Sequence, residues 1–383
     1  MEPDLPAQGA ARTPSTPADA AVVGGGTRRA SGATRSRLPV VPAGPEPAAP
    51  ASRWRNPHRR LPAVRAAVQA AYLLFLVGVG LEFARFFAQV SGGGPVSAAR
   101  PPAVEAFLPI SALLGLKRFL LTRYWDEIHP AGLVILVAAI ATAFVARKAF
   151  CSWVCPVGAL SRAVEWVGRR TLWRRRWPAV PRWLDLPASG LKYLLLAFFV
   201  WTVAGMPLAA VERFMASPFN VAADAKMLLF FRAPSRTTLA VLGGLALLSL
   251  VVKHAWCRWL CPYGALLGVA SFFSPLAVRR DPATCNDCRA CTRACPVEIP
   301  VHARLRVVNP ECTGCLSCVA ACTVPACLEV TRPGRRVVSP WVLPAAALTT
   351  MLGAWAIARA TGFWETSLGA EVFRFAYRAM GVG

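Results

Sequence analysis

Eight cysteines between residues 285 and 322 constrain the fold of this chain more than any other feature. They follow the spacing C-x2-C-x2-C-x3-C twice, within CNDCRACTRACPVEIPVHARLRVVNPECTGCLSCVAACTVPACLEV. Three thiols spaced by two residues fit one tight loop, and the fourth thiol of such a motif points away from that loop. The spacing therefore predicts two adjacent sites, each completed by the last cysteine of the other motif.

Such a ligand pattern suits two cubane [4Fe–4S] clusters, as in two-cluster bacterial ferredoxins. We expect the first cluster to be held by Cys285, Cys288, Cys291 and Cys322. We expect the second to be held by Cys312, Cys315, Cys318 and Cys295. Zinc is the alternative, but a four-ligand zinc site would leave the third cysteine of each triplet unused. Thr323 stands where proline would follow the motif, and Cys327 is a ninth cysteine, either a buried inert thiol or a further ligand or redox group.

A second cysteine pattern occurs outside this insert. The first thiol turn, FCSWVCPVGAL at residues 150–160, returns as the second thiol turn, WCRWLCPYGAL at residues 256–266. The proline after each pair disfavours helical backbone at the preceding cysteine, so each pair should lie at a helix end. If the two repeats pack about a pseudo-two-fold axis, four thiols converge: Cys151, Cys155, Cys257 and Cys261. A further iron–sulfur or metal centre, a redox dithiol, and thiols that only pack all remain open.

The rest of the chain is strongly apolar. Hydrophobic residues make up 55% of the sequence and charged residues 16%, against roughly 25% charged in soluble domains. Runs of about 20 apolar residues are long enough to cross a bilayer. We predict five spans, near residues 64–90, 131–150, 189–206, 238–256 and 341–358. The run at 103–121 is broken by Pro109 and predicts an interfacial or re-entrant helix, and residues 265–278 predict a helix along the membrane surface.

The positive charge follows these spans. The formal net charge is +24, with 43 basic and 19 acidic residues. The tail through Arg65 and the connections 147–188 and 253–339 hold 10, 9 and 11 basic residues, whereas the alternating segments hold 5, 4 and 3. Positive charge accumulates on the cytoplasmic side of membrane proteins. The N-terminus and the insert should therefore be cytoplasmic, with membrane lipid rather than nucleic acid as the partner of the basic residues.

Together these patterns predict a mainly α membrane protein. Its five transmembrane helices form two repeat units, with a small α+β insert like a two-cluster bacterial ferredoxin. Four regions are expected. They are a disordered Pro/Arg-rich cytoplasmic tail at 1–60, a transmembrane core with two C-x3-C-P repeats at 61–280, the cytoplasmic ferredoxin-type domain at 281–336, and the last span with an exoplasmic tail at 337–383.

The chain combines two thiol turns at membrane edges with two ferredoxin motifs. In this it resembles the membrane-bound polyferredoxin family of NapH-, NosR- and YccM-like 4Fe–4S proteins. The resemblance extends to the stretches RPPAVEAFLPISALLGLK, DEIHPAGL and RKAFCSWVCPVGALSR. The resemblance covers roughly residues 60–370. It implies a bacterial inner-membrane protein that takes electrons from the quinol pool or a redox partner protein, as a quinol dehydrogenase subunit does, and passes them through its clusters. The alternatives are a copper reductase or redox assembly factor and a redox-sensing regulator of the same type.

A quinone site is the least constrained part of this prediction. A quinol that releases protons needs a carboxylate or imidazole beside an aromatic wall. RYWDEIHP at residues 123–130 and TGFWETSL at 361–368 both place such residues beside a span end on the non-cytoplasmic side. The candidate residues are Glu82, Asp126, Glu127 and His129.

Overall fold

The structure is a computed structural model and describes residues 55–173, 177–178 and 180–382. The described residues belong to one compact unit. The tail predicted at residues 1–60 lies outside the described residues up to residue 54. Its end is structured: the Asn56 side chain donates hydrogen bonds to the carbonyl oxygens of Val319 and Cys322, at 2.7 and 3.0 Å.

Helices dominate the part of the chain that the structure describes. The α-helices are α1 (Leu61–Ser91), α2 (Pro109–Thr122), α3 (Pro130–Ala146), α4 (Ala149–Trp153), α5 (Pro156–Thr171), α6 (Arg182–Gly205), α7 (Leu208–Met215), α8 (Pro218–Val221), α9 (Ala223–Arg232), α10 (Arg236–Val251), α11 (Pro262–Ala270), α12 (Ala290–Arg293), α13 (Ser317–Ala320), α14 (Val342–Ala360) and α15 (Ala370–Ala379). Short 3-10 helices cover Pro102–Phe107, Ser271–Phe273, Val301–Ala303 and Pro333–Arg335, and a π-helical turn covers Trp256–Leu260.

Helices stand at all five positions predicted to span the membrane, but they differ in length. Helices α1, α6 and α14 are long and apolar enough to cross a bilayer. Helices α9 and α10 together would make a fourth span, bent by 73° at their junction. Helix α3 is apolar but has 17 residues, fewer than the roughly 20 of an ordinary span. The chain is thus a mostly helical membrane protein, and the five-span, two-repeat layout stays a prediction.

Helix α3 is the central helix of the bundle. Its alanines are almost fully buried, as at Ala139, Ala143 and Ala146. Small side chains let neighbouring helices approach closely within a membrane. Helix α3 accordingly packs against α2, α11 and α14, and α4 follows it after two residues.

Proline sets the local geometry of both thiol turns. Pro156 and Pro262 occupy the first position of α5 and α11, where a missing backbone N–H costs nothing. The preceding cysteines, Cys155 and Cys261, have extended backbone with ψ of 125° and 103°. Each cysteine pair therefore lies across a helix boundary, as pre-proline sterics predict.

The insert contains a small antiparallel sheet in the order β1–β2–β3: β1 (Ala277–Arg280), β2 (Leu328–Arg332) and β3 (Arg336–Val338). Strands β1 and β2 bracket both cysteine motifs, with Val278 opposite Val330. These two valines are buried in one hydrophobic core that continues into the bundle. The insert is therefore packed onto the helices rather than tethered to them.

Candidate functional site

Four of the predicted cluster cysteines line one cavity, which we call the second cavity. The thiols around it are Cys295, Cys312, Cys315 and Cys318. Val278, Ile299 and Leu316 complete apolar walls. Three thiols from one motif and one from the other thus meet in a dry pocket, a donor set that suits a [4Fe–4S] cube.

The first cavity is lined by five thiols: Cys285, Cys288, Cys291, Cys322 and Cys327. Arg280 and His302 also contribute to its walls. Its Cys288 is exposed, whereas no cysteine of the second cavity is. The first cavity is therefore the one that faces solvent, and its donors also fit a cubane cluster.

The two motif loops have the same backbone conformation. The residues immediately before and after the second cysteine are left-handed, at Asp287 and Arg289 in one loop and at Gly314 and Leu316 in the other. The next residues begin α12 and α13. Glycine is favoured at position 314, because φ there is 61° and a Cβ would lie 2.9 Å from Leu343 Cδ2 and 3.3 Å from the carbonyl oxygen of Ala146. Successive turns of this kind point backbone N–H groups inward and favour an anionic cluster.

Charge and hydrogen bonding offset the burial of the Cys315 thiol. Burial acts to raise the pKa of this thiol. The nearby Arg65 guanidinium and hydrogen bonds from Ser317 and Thr313 outweigh burial and hold the pKa below its usual range. Thiolate is the form that binds iron. The environment of the second cavity thus favours the ligand form at this position.

The loop of the second cavity, residues 312–318, which we call the second loop, docks directly on the first thiol turn. Ser152 Oγ donates to the carbonyl oxygen of Thr313 at 2.7 Å, and Trp153 Nε1 donates to that of Gly314 at 3.3 Å. Arg65 Nη1 of α1 donates to the Cys315 carbonyl oxygen at 2.7 Å. These three contacts fix the position of the insert against α1 and α4.

Glu311, one residue before the second motif, ties the loop to the bundle. Its Oε2 accepts from Lys192 of α6 and from Lys148, the latter at 3.4 Å. Its Oε1 accepts from the Tyr193 hydroxyl at 2.9 Å. Both lysine side chains are almost fully buried, so this carboxylate compensates charge that water cannot reach.

Both thiol turns face a common site, and we call their four cysteines the thiol quartet: Cys151, Cys155, Cys257 and Cys261. The backbone of the first thiol turn is close-packed, because a Cβ on Gly158 would lie 2.1 Å from the carbonyl oxygen of Cys151. Burial, followed by the other quartet thiols, raises the pKa of Cys155 to about 12. No three His, Cys, Asp or Glu side chains within the described ranges converge closely enough to hold a single metal ion.

The quartet is asymmetric, since Cys257 alone faces a histidine. His254 Nε2 lies 3.0 Å from Glu165 Oε2, and Ser161 Oγ lies 3.5 Å from Cys257 Sγ. Burial acts to raise the pKa of the Cys257 thiol, but hydrogen bonds from His254 and Ser161 outweigh it and lower the pKa. The structure therefore supplies one quartet position that favours thiolate.

One of the four quinone-site candidates, His129, belongs to a buried polar network near the other end of α3, and a second, Asp126, lies beside it. Arg100 lies at its centre, with Nη1 2.6 Å from Glu105 Oε1 and Nε 2.8 Å from Asp224 Oδ2. His129 Nδ1 lies 3.6 Å from Glu105 Oε1. Burial acts to raise the pKa of Glu105, but Arg100 and His129 outweigh it and lower the pKa. Asp126 is also buried, and the charges of His129 and Glu105 both affect its pKa.

The other two candidates do not join this network. The side chains of Glu82, in α1, and Glu127 are exposed. The sequence prediction missed Arg100, Glu105 and Asp224, which come from three separate segments. Their positions in the sequence did offer a signal. Charged residues beside membrane spans are not needed for solubility, so they indicate a polar interior.

Beside the network, three buried polar atoms have no hydrogen-bond partner within the described residues: Arg118 Nε, Trp125 Nε1 and Asp126 Oδ2. The Trp125 ring contacts Phe119 and Phe363, each with ring centroids 5.2 Å apart. Burial raises the pKa of Asp126. Two N–H donors and one carboxyl oxygen beside aromatic rings form a candidate contact for a polar ring.

Comparison with known proteins agrees with this arrangement. A family model described as a 4Fe-4S binding domain matches residues 128–177 and 237–279, the two stretches that contain the thiol turns. A second model, described as a 4Fe-4S dicluster domain, matches residues 277–323. Both halves of the cysteine pattern are thus typical of 4Fe–4S proteins.

Several curated proteins are similar to the chain. YccM of Escherichia coli, whose name places it in electron transport, is 38% identical over 330 residues, covering 84% of this chain and 90% of YccM. The ferredoxin-type protein NapH of Haemophilus influenzae is 28% identical, covering 50% of this chain and 67% of NapH. The regulatory protein NosR of Pseudomonas aeruginosa is 31% identical, covering 45% of this chain and 23% of NosR. No solved structure matches the chain. The resemblance found in the sequence is confirmed, and the chain belongs to the membrane-associated polyferredoxin-type electron-transport family.

Proposed function

We propose that this protein is an inner-membrane electron carrier. It takes electrons from the quinone pool and passes them to an acceptor through three iron–sulfur sites. The first and second cavities each hold one [4Fe–4S] cluster on the four cysteines that the motif spacing assigns. The thiol quartet holds a third centre. When bound, such clusters exchange single electrons.

The observation that carries this proposal is the continuity of the three sites. Thiols from the first thiol turn and from both cavities pack in or against one hydrophobic core. Helix α4, which holds Cys151, contacts the second loop through Ser152 and Trp153. Helices α12 and α13 join the second cavity to the first. Because electron transfer slows steeply with distance, this packing favours passage through the sites in that order.

The residues around Trp125 support the quinone end of the path. An N–H of Trp125 or Arg118 suits a quinone carbonyl oxygen, and the Asp126 carboxyl suits a quinol hydroxyl. A buried carboxyl with a raised pKa is ready to accept and release the quinol proton. Arg100 Nη2 lies 3.3 Å from His129 Nδ1 and holds that ring beside this site, and Asp126 Oδ1 accepts from the backbone N–H of Ile128 at 2.9 Å.

The distribution of basic residues supports a cytoplasmic insert and a quinone site on the opposite side. In this orientation the exposed Cys288 faces the cytoplasm, where it would meet the redox partner protein. In the proposed direction, protons leave the quinol at Asp126 and electrons leave the protein at the first cavity.

Iron content tests the three-site proposal. The full chain, purified anaerobically in detergent, should contain about 12 iron atoms and about 12 labile sulfides, since each cubane holds four of each. Cys151→Ala should lower the iron content by about four and leave the two ferredoxin-type signals in low-temperature EPR unchanged. About eight irons in the unmodified protein would contradict a cubane at the thiol quartet.

Quinol reduction tests the other end. Adding a short-chain quinol to the purified protein should bleach the cluster absorbance. Asp126→Asn should slow this bleaching by about 10²-fold, which is typical for loss of a proton acceptor. Glu127→Gln changes the adjacent exposed carboxylate and serves as the matched control. A protein that reduces Cu(II) but is not reduced by quinol would favour the copper-reductase alternative.

A further inference from the structure

The first cavity contains one thiol more than a cubane cluster uses. Cys285, Cys288, Cys291 and Cys322 fill the four ligand positions that the motifs specify, and Cys327 lines the same cavity. A cube has four iron corners and takes four protein thiolates. The fifth thiol therefore needs its own explanation.

Cys327 is firmly placed. It lies immediately before β2 and is 3% exposed. Its carbonyl oxygen accepts from the backbone N–H of Asp281 at 2.8 Å, and its Sγ lies 3.9 Å from the Asp281 carbonyl oxygen. This contact with Asp281 places the thiol at the start of the loop that carries Cys285, and both thiols line the first cavity. The additional thiol is thus held beside the loop segment that leads to the first ligand, Cys285.

The second cavity has no counterpart of this thiol within the described residues. Its lining contains four cysteines, and Cys312 holds the position equivalent to that of Cys285. The cavities also differ in exposure, because only the first has a ligand thiol, Cys288, that is open to solvent. Exposed cluster ligands are the ones that oxidants and competing chelators reach first. The additional thiol, Cys327, is therefore found at the cluster site that solvent can reach.

On the basis of the function proposed above, we propose that Cys327 is a reserve ligand of the first cluster site, replacing Cys285 when that sulfur is lost from iron. In this exchange the Cys285 thiolate would leave its iron and take the proton of the Cys327 thiol, and the Cys327 thiolate would bind the same iron. No electron is gained or lost. The ferredoxin-type domain thereby keeps its solvent-facing cluster when one ligand is lost.

Alanine substitutions in the full chain test this assignment. Cys285→Ala should retain both cluster signals and the full iron content, with a changed EPR line shape for the first cluster. Cys312→Ala, the matched change in the cavity without a spare thiol, should lose about four irons. Cys327→Ala alone should keep all clusters. The double substitution Cys285→Ala with Cys327→Ala should lose about four irons, all from the first cluster.

The outcomes separate this inference from the function on which it depends. If Cys285→Ala loses the first cluster as completely as Cys312→Ala loses the second, Cys327 is not a reserve ligand. The same conclusion follows if the double variant keeps the first cluster. An unmodified protein without iron would instead remove the proposed function itself. The EPR signal of the untouched second cluster reports whether each first-cavity variant has folded.

Discussion

At the scale of single residues, the two thiol turns are not interchangeable. Gly158 and Gly264 occupy equivalent positions, two residues after the proline in each turn. A Cβ at position 158 would lie 2.1 Å from the backbone oxygen of Cys151, a contact that only a backbone shift can relieve. A Cβ at position 264 would meet the side chain of Cys261 at 3.6 Å, an ordinary contact.

We therefore expect Gly158→Ala to destabilise the protein and Gly264→Ala to be tolerated. Overpacking of this kind costs about 1–3 kcal/mol. Thermal unfolding in detergent should show a lower midpoint for Gly158→Ala alone, together with loss of the iron assigned to the quartet. Equal midpoints for the two variants would show that the first turn has more room than its geometry indicates.

The buried Arg100 guanidinium depends on both of its carboxylate partners. Glu105→Gln leaves the Arg100 guanidinium with a single buried carboxylate, and loss of one partner of a buried ion pair costs about 3–5 kcal/mol. The pKa of Glu105 in the folded protein is below its usual value of 4.5. Its contribution is therefore full above pH 4.5 and is lost as the pH falls through the lower folded pKa.

The difference in unfolding midpoint between the wild type and Glu105→Gln should accordingly be largest at neutral pH and should shrink in acid. Glu371→Gln serves as the control, because it removes an ion pair with Arg374 in which the Glu371 side chain is 80% exposed. It should change the free energy of unfolding by about 0–1 kcal/mol. A Glu105→Gln protein as stable as this control at pH 7 would exclude a structural role for the network.

At the scale of elements, the docking of the insert depends on a few polar anchors. Glu311 holds the second loop against α6 and α4 by compensating Lys192 and Lys148. Glu311→Gln preserves the shape of the side chain and leaves both buried lysines without their carboxylate. We expect faster backbone hydrogen exchange across residues 309–318, while exchange in β1 and β2 stays slow because the sheet does not use this contact.

Hydrogen exchange of the full chain in detergent checks this prediction. Glu329→Gln, in β2, is a charge-matched control within the same insert. Equal exchange in the second loop of both variants would mean that Ser152, Trp153 and Arg65 are sufficient to hold it.

Much of this architecture is readable from the sequence, because the strongest constraints are local. Cysteine spacing, apolar run length and pre-proline sterics act over short stretches, so the motif loops and the positions of the long helices follow from them. The network of Arg100, Glu105 and Asp224 could not be predicted, because its members are brought together only by the packing of three segments. The same holds for Asn56, whose contacts with α13 join residues more than 260 positions apart.

At the scale of the whole molecule, exposure and contact give the three sites a fixed order. The thiol quartet lies within the bundle, the second cavity abuts α4, and the first cavity opens to solvent at Cys288. An electron that leaves the membrane for a soluble acceptor would then have to pass the second cavity before the first. The two cavities should respond differently when each is disabled alone.

Cys318→Ala disables the second cavity, and we expect quinol to reduce the thiol-quartet centre but not the first cluster. Cys291→Ala disables the first cavity, and we expect quinol still to reduce the quartet centre and the second cluster. Both variants should fail to reduce cytochrome c, a soluble acceptor too large to reach the buried sites. Rapid-freeze EPR after quinol addition distinguishes the two patterns. If Cys318→Ala still passed electrons to cytochrome c at the unmodified rate, the first cavity would be fed by another route, and the packing of the second loop on α4 would be structural only.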